Sequence, residues 1–311
     1  MSNLFFYTSC TLTKSITPPG HLSAAELPKR SVSERQTEWC TRIDSWEGER
    51  RTARDLYCGG HWSVVRGLVD LRLGLRCFAI SAGYGLVSID ERLAPYAATF
   101  AFGQRDSVAL THGKSAPKEN IEWWYRLCSW KPVGVKGVRS ICASVTSAPT
   151  AIHVFALSPS YLDAISEDLA RARQELVNRS RLIILSSGKA RHGELNANVI
   201  PVPAELQTRL GGGLVSLNVR VAAEVLSRIP VSDMTFEEVR KFISELASRA
   251  KPRFYPKRYP ASDDEVISFI EKAARNTWRP SYTGLLRSFR GSGRACEMKR
   301  FKKLFQQTVT K

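Results

Sequence analysis

Four short apolar runs, each closed by hydroxyl-bearing residues, constrain this chain more than any other feature. They are "NLFFYTSC" (3–10), "RCFAIS" (76–81), "TAIHVFALS" (150–158) and "RLIILSSGK" (181–189). Their length and β-branched or aromatic content predict strands. Segments with apolar residues near the 3.6-residue period lie between them. Ala53, Leu56, Tyr57, Val64, Val65, Leu68 and Leu71 recur in this way before the second run, with Gly59-Gly60 dividing the segment. "PSYLDAISEDLARARQELVNRS" (159–180) reads as a long amphipathic helix, and "ENIEWWYRLCSW" (119–130) as a helix with an aromatic core face. Residues 21–48 read as irregular. Strand, helix, strand order predicts an α/β fold, a parallel sheet with covering helices, in which ligands gather beyond the carboxyl ends of the strands. Ser9, Ser81, Ser158 and Ser186 would then line one polar crevice. Asn218, at the helix that follows Gly211-Gly212-Gly213, is placed with them.

The end of the chain differs in pattern and charge. Thr235 and Glu238 form a capping-box sequence ahead of "FEEVRKFISELASRA", so a boundary is expected between an α/β domain, 1–232, and a helical domain, 233–311. "KPRFYPKRYP" (251–260) reads as a linker able to lie along a phosphate backbone. Helices are expected at 263–276, 281–290 and 294–307, the last burying Ala295, Met298, Phe301, Leu304 and Phe305. A helix, a "GSG" turn and a basic helix give a small all-α, helix-turn-helix-like plan.

The chain has 46 Lys and Arg against 29 Asp and Glu, a net charge of +17. Residues 251–311 alone hold 15 basic and 5 acidic side chains, a net +10. Such concentration on a small segment suits contact with nucleic-acid phosphates. Lys257, Arg258, Arg287, Arg290, Arg294, Lys299, Arg300, Lys302 and Lys303 are the expected DNA-binding residues.

The sequence also excludes classes. It has no G-x-x-x-x-G-K-[ST] loop, no G-x-G-x-x-G after the first strand and no G-x-S-x-G elbow, which argues against ATP, NAD and acyl-transfer chemistry. Seven scattered cysteines without a C-x-x-C pair, and five histidines that lie apart from them, point to a reducing compartment and away from zinc. No signal peptide or membrane-spanning run is evident, so a cytoplasmic protein is expected, with no cofactor or metal implied.

The stretch "SAGYGLVSIDERLAPYAATF" (81–100) resembles the S-[AG]-x-Y-G-L…D…P-Y signature of the peroxide-stress protein YaaA family. "YTSCTLTK", with Cys10 and Lys14, looks like that group's C-x-x-x-K turn, and "ARDLYCGGHW", with Asp55 and Tyr57, like its A-x-D-L-Y helix. Gly83 stands where many relatives have Lys, and Ala97 where many have an acidic residue. The resemblance implies an α/β domain, with a DNA-binding helical element in some members. A basic, two-part chain of this size is also similar to phage-defence DNA glycosylases that remove glucosylated hydroxymethylcytosine.

Cleaving an N-glycosidic bond passes through an oxocarbenium-like sugar, so it calls for a carboxylate near the sugar and donors near the departing base. The base must also leave the stack for a pocket. Asp90 is the first candidate carboxylate, with Glu91 or Asp55 as substitutes. Tyr84, Tyr96 and Tyr57 are candidates to stack on or hydrogen-bond the base. Ser81, Ser9, Cys10 and Lys14 are candidates for sugar, phosphate or base substituents, and Gly83 and Gly85 would allow close backbone approach. The expected function is a DNA glycosylase acting on double-stranded, modified phage DNA. The alternatives are a non-catalytic, YaaA-type DNA-binding or damage-protection protein and a base-exchanging transglycosylase.

Overall fold

A computed structural model describes residues 4–111, 115–187, 193–253, 257–275 and 280–309. The chain divides into two compact units, 1–252 and 253–311.

The first unit is built on a six-stranded sheet. Its strands are β1 (Leu4–Ser9), β2 (Arg76–Ser81), β3 (Gly85–Ser88), β4 (Ile152–Leu157), β5 (Leu182–Ser186) and β6 (Val199–Pro201). The order across the sheet is β3-β2-β1-β4-β5-β6. All neighbours are parallel except β3, which turns back on β2. Every residue of β4, and all of β1 but its last, is buried, as expected of central parallel strands covered on both faces. The direction of winding reverses between β1 and β4, and in open α/β sheets the carboxyl ends of the strands at such a reversal are where ligands bind.

Helices α1 (Val32–Asp44), α2 (Ala53–Leu56), α3 (Gly60–Leu71), α4 (Ala116–Ser129), α5 (Ile141–Thr146), α6 (Pro159–Gln174), α7 (Leu217–Arg228) and α8 (Phe236–Ser248) accompany the sheet. The expected division at Gly59-Gly60 is observed: Gly59 adopts φ +88° just before α3. The irregular reading of 21–48 is corrected by α1, which opens with a reciprocal capping box between Ser31 and Glu34. That helix buries Arg35, which donates to the Val108 carbonyl at 2.7 Å and lies over the Trp123 ring.

The expected boundary at 232/233 falls some twenty residues before the observed division at 252/253. Helix α8 begins as expected, with Thr235 accepting from the Glu238 N–H. Its Val239, Ile243 and Leu246 are buried in the large core, so α8 belongs to the first unit.

The second unit contains α9 (Asp263–Arg275), α10 (Tyr282–Gly291) and α11 (Met298–Val309), near the expected positions. Val266, Ile270, Leu285, Leu286, Phe289, Phe301 and Leu304 form its core. Arg294 and Ala295 form a short strand beside Tyr259–Pro260 instead of opening the last helix. Met298, expected inside, is 51% exposed. Residues 254–256, part of the expected linker, lie outside the described residues. Among the described residues no helix is long and apolar enough to cross a membrane.

Buried polar groups lock the first unit. Asp168, on α6, accepts from Trp124 Nε1 at 3.0 Å and from the N–H groups of Ile141 and Cys142 at 2.8 and 3.2 Å, joining α4, α5 and α6. His153, on β4, donates from Nε2 to the Ala148 carbonyl at 3.1 Å, so its Nδ1 accepts from Tyr7, 3.0 Å away. Burial pushes the His153 pKa down to about 4.

The unfolded chain therefore takes up this proton near pH 6.5 and the folded one only near 4, so the stability contribution is lost as pH falls through that window. Denaturant titrations from pH 7 to 4 should show a falling unfolding free energy. His153→Gln should remove up to about 1.4 kcal/mol per pH unit from the slope. An unchanged slope would show that His153 does not titrate in this way.

Candidate active site at the carboxyl edge of the sheet

At the end of β2 the chain turns sharply, and one hydroxyl organises the turn. Ser81 Oγ accepts from the N–H groups of Gly83 and Tyr84 at 3.1 and 3.0 Å. With both lone pairs engaged, it donates its own proton to the Tyr96 hydroxyl, 2.6 Å away. The Tyr96 and Tyr57 hydroxyls share a further hydrogen bond at 2.8 Å, in which either oxygen can donate. Three side chains from separate segments thus form a continuous chain of hydroxyls.

The loop after β1 lies against this chain. Cys10 N–H continues the ladder to the Ile80 carbonyl. Backbone bonds from Cys58 to Thr13 and from Ser15 to Leu56 then pin the loop to the segment carrying Tyr57. This holds Lys14 Nζ 4.3 Å from the centroid of the Tyr96 ring and 5.2 Å from that of Tyr57, where it donates to the Thr11 carbonyl. On the other side, Cys10 Sγ lies 3.3 Å from the Tyr161 hydroxyl, which lies 3.4 Å from Thr99 Oγ1. Tyr161 enters from α6, directly after β4, so the cluster occupies the reversal point between β1 and β4.

Burial sets the electrostatics. It raises the pKa values of Tyr57, Tyr96 and Tyr161 well above the ordinary phenol range, with the neighbouring Cys10 adding to the rise, so all three stay neutral. Burial also pushes the Lys14 amine down to about 8, against the opposing pull of Cys10, Asp106 and Cys58. Asp106 itself accepts from Ser23 Oγ. Nearby, His61 Nε2 lies 2.7 Å from Thr8 Oγ1, and burial pushes its pKa down to about 4. Asn218 donates to the Leu157 carbonyl at 2.6 Å, while its buried Oδ1 has no hydrogen-bond partner.

The structure brings Cys10, Lys14, Tyr57, Ser81 and Tyr96 together. Gly83 is in direct contact with them: a Cβ there would lie 2.4 Å from the Tyr96 ring. The three candidate carboxylates lie elsewhere. Because β3 runs back along β2, Asp90 returns to the opening end of β2, where its charge acts on Cys77 and it is exposed. Ser81 is four residues further along that strand, roughly 13 Å at strand rise. Glu91 is a structural clamp that accepts from the N–H groups of Ser88, Lys136 and Gly137 at 2.8, 2.9 and 2.6 Å. Asp55 is exposed and accepts from Thr52 Oγ1 at 2.7 Å at the start of α2.

Other candidates are structural as well. Tyr84 is fully buried, accepts from the Ala94 N–H at 2.8 Å and stacks on Trp130. Full burial likewise removes Tyr57 and Tyr96 as stacking surfaces for a base. Gly85 meets the turn's demand for φ +77°. The Ser9 carbonyl accepts from Trp62 Nε1, Ser158 precedes α6, and Ser186 is buried at the end of β5. Thr8, His61, Thr99, Asp106 and Tyr161 were not anticipated. The signal for Tyr161 was its place three residues beyond the strand-end Ser158; isolated polar residues such as Asp106 carried none.

In the second unit, four of the nine expected DNA-binding residues serve the fold. Arg294 pairs with Glu265 and Arg300 with Asp263, while Arg258 and Arg290 donate to the carbonyls of Arg290 and Cys296. Lys257, Arg287, Lys299, Lys302 and Lys303 are exposed, with Lys257 over Tyr259 and Lys302 over Tyr282. Among the described residues no group of three or more His, Cys, Asp or Glu gathers to hold a metal ion.

The contact between Gly83 and Tyr96 predicts that Gly83→Ala will destabilise the protein by about 1–3 kcal/mol. Gly67→Ala is the control: Gly67 lies on α3 with nothing within 4 Å of an added Cβ. It should gain about 0.5–1 kcal/mol from helix propensity. Equal responses in chemical denaturation would refute a close-packed Gly83. Comparison of the chain with protein-family models, curated proteins and solved structures yields no match.

Proposed function

We propose that this chain is a DNA glycosylase that excises a modified base, with glucosylated hydroxymethylcytosine of phage DNA as the leading substrate, acting in the cytoplasm without a cofactor. The observation that carries this reading is the Ser81–Tyr96–Tyr57 hydroxyl chain beneath Lys14 at the reversal point of the sheet. A departing base needs a proton or a strong hydrogen bond, and neutral phenols held in order can donate one. Leu12, Leu214 and Val215 are exposed apolar side chains on loops at the same carboxyl edge, suited to filling the gap that an extruded nucleotide leaves in a duplex. The exposed lysines of the second unit, two of them over tyrosine rings, suit a phosphate backbone, with α10, its glycine turn and α11 as a helix-turn-helix-like element. The resemblance of residues 81–100 to the YaaA family supports the same direction.

A second reading, a DNA-binding protein without catalysis, is favoured by one observation. Asp90, Glu91 and Asp55 all lie away from the hydroxyl chain.

Mass spectrometry of small molecules released from a panel of modified phage genomes separates the two. The glycosylase should free intact base and leave alkali-labile sites, and Tyr96→Phe should slow release about 10–100-fold. Lys299→Gln, Lys302→Gln and Lys303→Gln together should lower the slope of log affinity against log salt by about 2–3. Salt-dependent binding with no base released from any genome would establish the second reading.

A further inference from the structure

We propose that Lys14 is the nucleophile of this reaction, its amine attacking C1′ of the extruded nucleotide to form a transient imine. The inference rests on the glycosylase reading and assigns the role left open by the three displaced carboxylates.

Three observations carry it. Lys14 projects from the loop after β1 into the reversal point, held there by backbone bonds to residues 56–58. Its hydrogen-bond partner is a neutral carbonyl, that of Thr11, and among the described residues no carboxylate lies within ion-pair distance. The amine also sits over two rings whose hydroxyls are hydrogen-bonded to each other and to Ser81, so amine and phenols share one cluster. A lysine held among ring faces, with no carboxylate within ion-pair distance, is the environment that makes an amine reactive. Its pKa near 8 leaves roughly a tenth of it neutral at pH 7.

The reaction balances without a cofactor. The amine lone pair forms the N–C1′ bond while the bond from C1′ to the base breaks. The base leaves with that electron pair and takes up the proton released by the attacking nitrogen. The C1′–O4′ bond then opens, O4′ gains a proton from water and nitrogen forms a protonated imine. Hydrolysis returns the free amine and leaves the abasic sugar, so the sum is nucleotide plus water giving base plus abasic site.

Borohydride trapping tests this on the full chain with a duplex bearing one abasic site, whose aldehyde condenses with the amine directly. Reduction should yield a denaturant-resistant protein–DNA adduct, and peptide mapping should place it on Lys14. Lys14→Arg, checked for folding by circular dichroism, should lower the yield at least ten-fold. A wild-type adduct that is absent or mapped to another residue overturns the assignment. Undiminished base release from glucosylated hydroxymethylcytosine DNA by Lys14→Arg would also overturn it, leaving the glycosylase reading in place. An adduct on Lys14 with no base released from any modified genome would support the amine's placement and sink the glycosylase reading instead.

Discussion

The arrangement at the carboxyl edge depends on the saturation of one oxygen. Ser81 Oγ receives two backbone N–H groups, which closes the turn and leaves its proton a single direction. Tyr96 is reached by that proton, and the Tyr96 hydroxyl is in turn bonded to that of Tyr57. The turn can be this tight because Gly83 presents no side chain to the Tyr96 ring and Gly85 takes a positive φ. Arg139 holds it from outside, donating to the carbonyls of Tyr84 and Leu86. A polar chain inside a core is stable when every member is satisfied, and here each hydroxyl finds a defined neighbour.

Buried polar groups in this protein fall into two kinds. Asp168, Glu91 and Arg35 bind backbone groups from distant segments and so fix loops that would otherwise bury unpaired amides and carbonyls. Lys14 and Asn218 differ. Lys14 has the Thr11 carbonyl and two ring faces in place of a counter-ion, and Asn218 Oδ1 is buried without a partner at the end of β4. Both lie on segments that border the carboxyl edge of the sheet. Leaving such groups incompletely matched costs stability, a cost also borne away from this edge by Arg35 Nε and Nη2, Arg50 Nη1 and Asn120 Oδ1, which are buried without a partner.

Strands β1, β2, β4 and β5 were legible because they are near-continuous apolar runs, a pattern that survives without tertiary information, whereas the antiparallel β3 and the three-residue β6 were not. Helix α1 was not, since it buries Arg35 and Gln36 beside Val32, Trp39 and Ile43, and polar residues inside a core blur the apolar period. Its Ser31–Glu34 capping box was the readable clue. Five of the site's members were legible from the strand ends and from the resemblance. Asp90 lies near Ser81 along the chain but not in space. A four-residue antiparallel strand intervenes and carries it to the other end of β2. The boundary near 232 followed a helix cap, which marks where a helix begins and says nothing about the core it joins. Four of the nine basic residues proved to hold their own unit together, because charge alone does not separate a cation used by the fold from one left exposed.

The electrostatics of the edge narrow its chemistry further. Phenols whose pKa is raised by burial act as proton donors and not as bases. Such an edge assists a leaving group that departs with negative charge, and it does little for positive charge that grows on a sugar. Asp106 is the carboxylate whose charge acts on Lys14, and it is already engaged by Ser23. A reaction run here therefore gains little from separating a free cation and more from a path in which a new bond forms as the old one breaks. That preference follows from the composition of the cluster, three neutral hydroxyls and one amine.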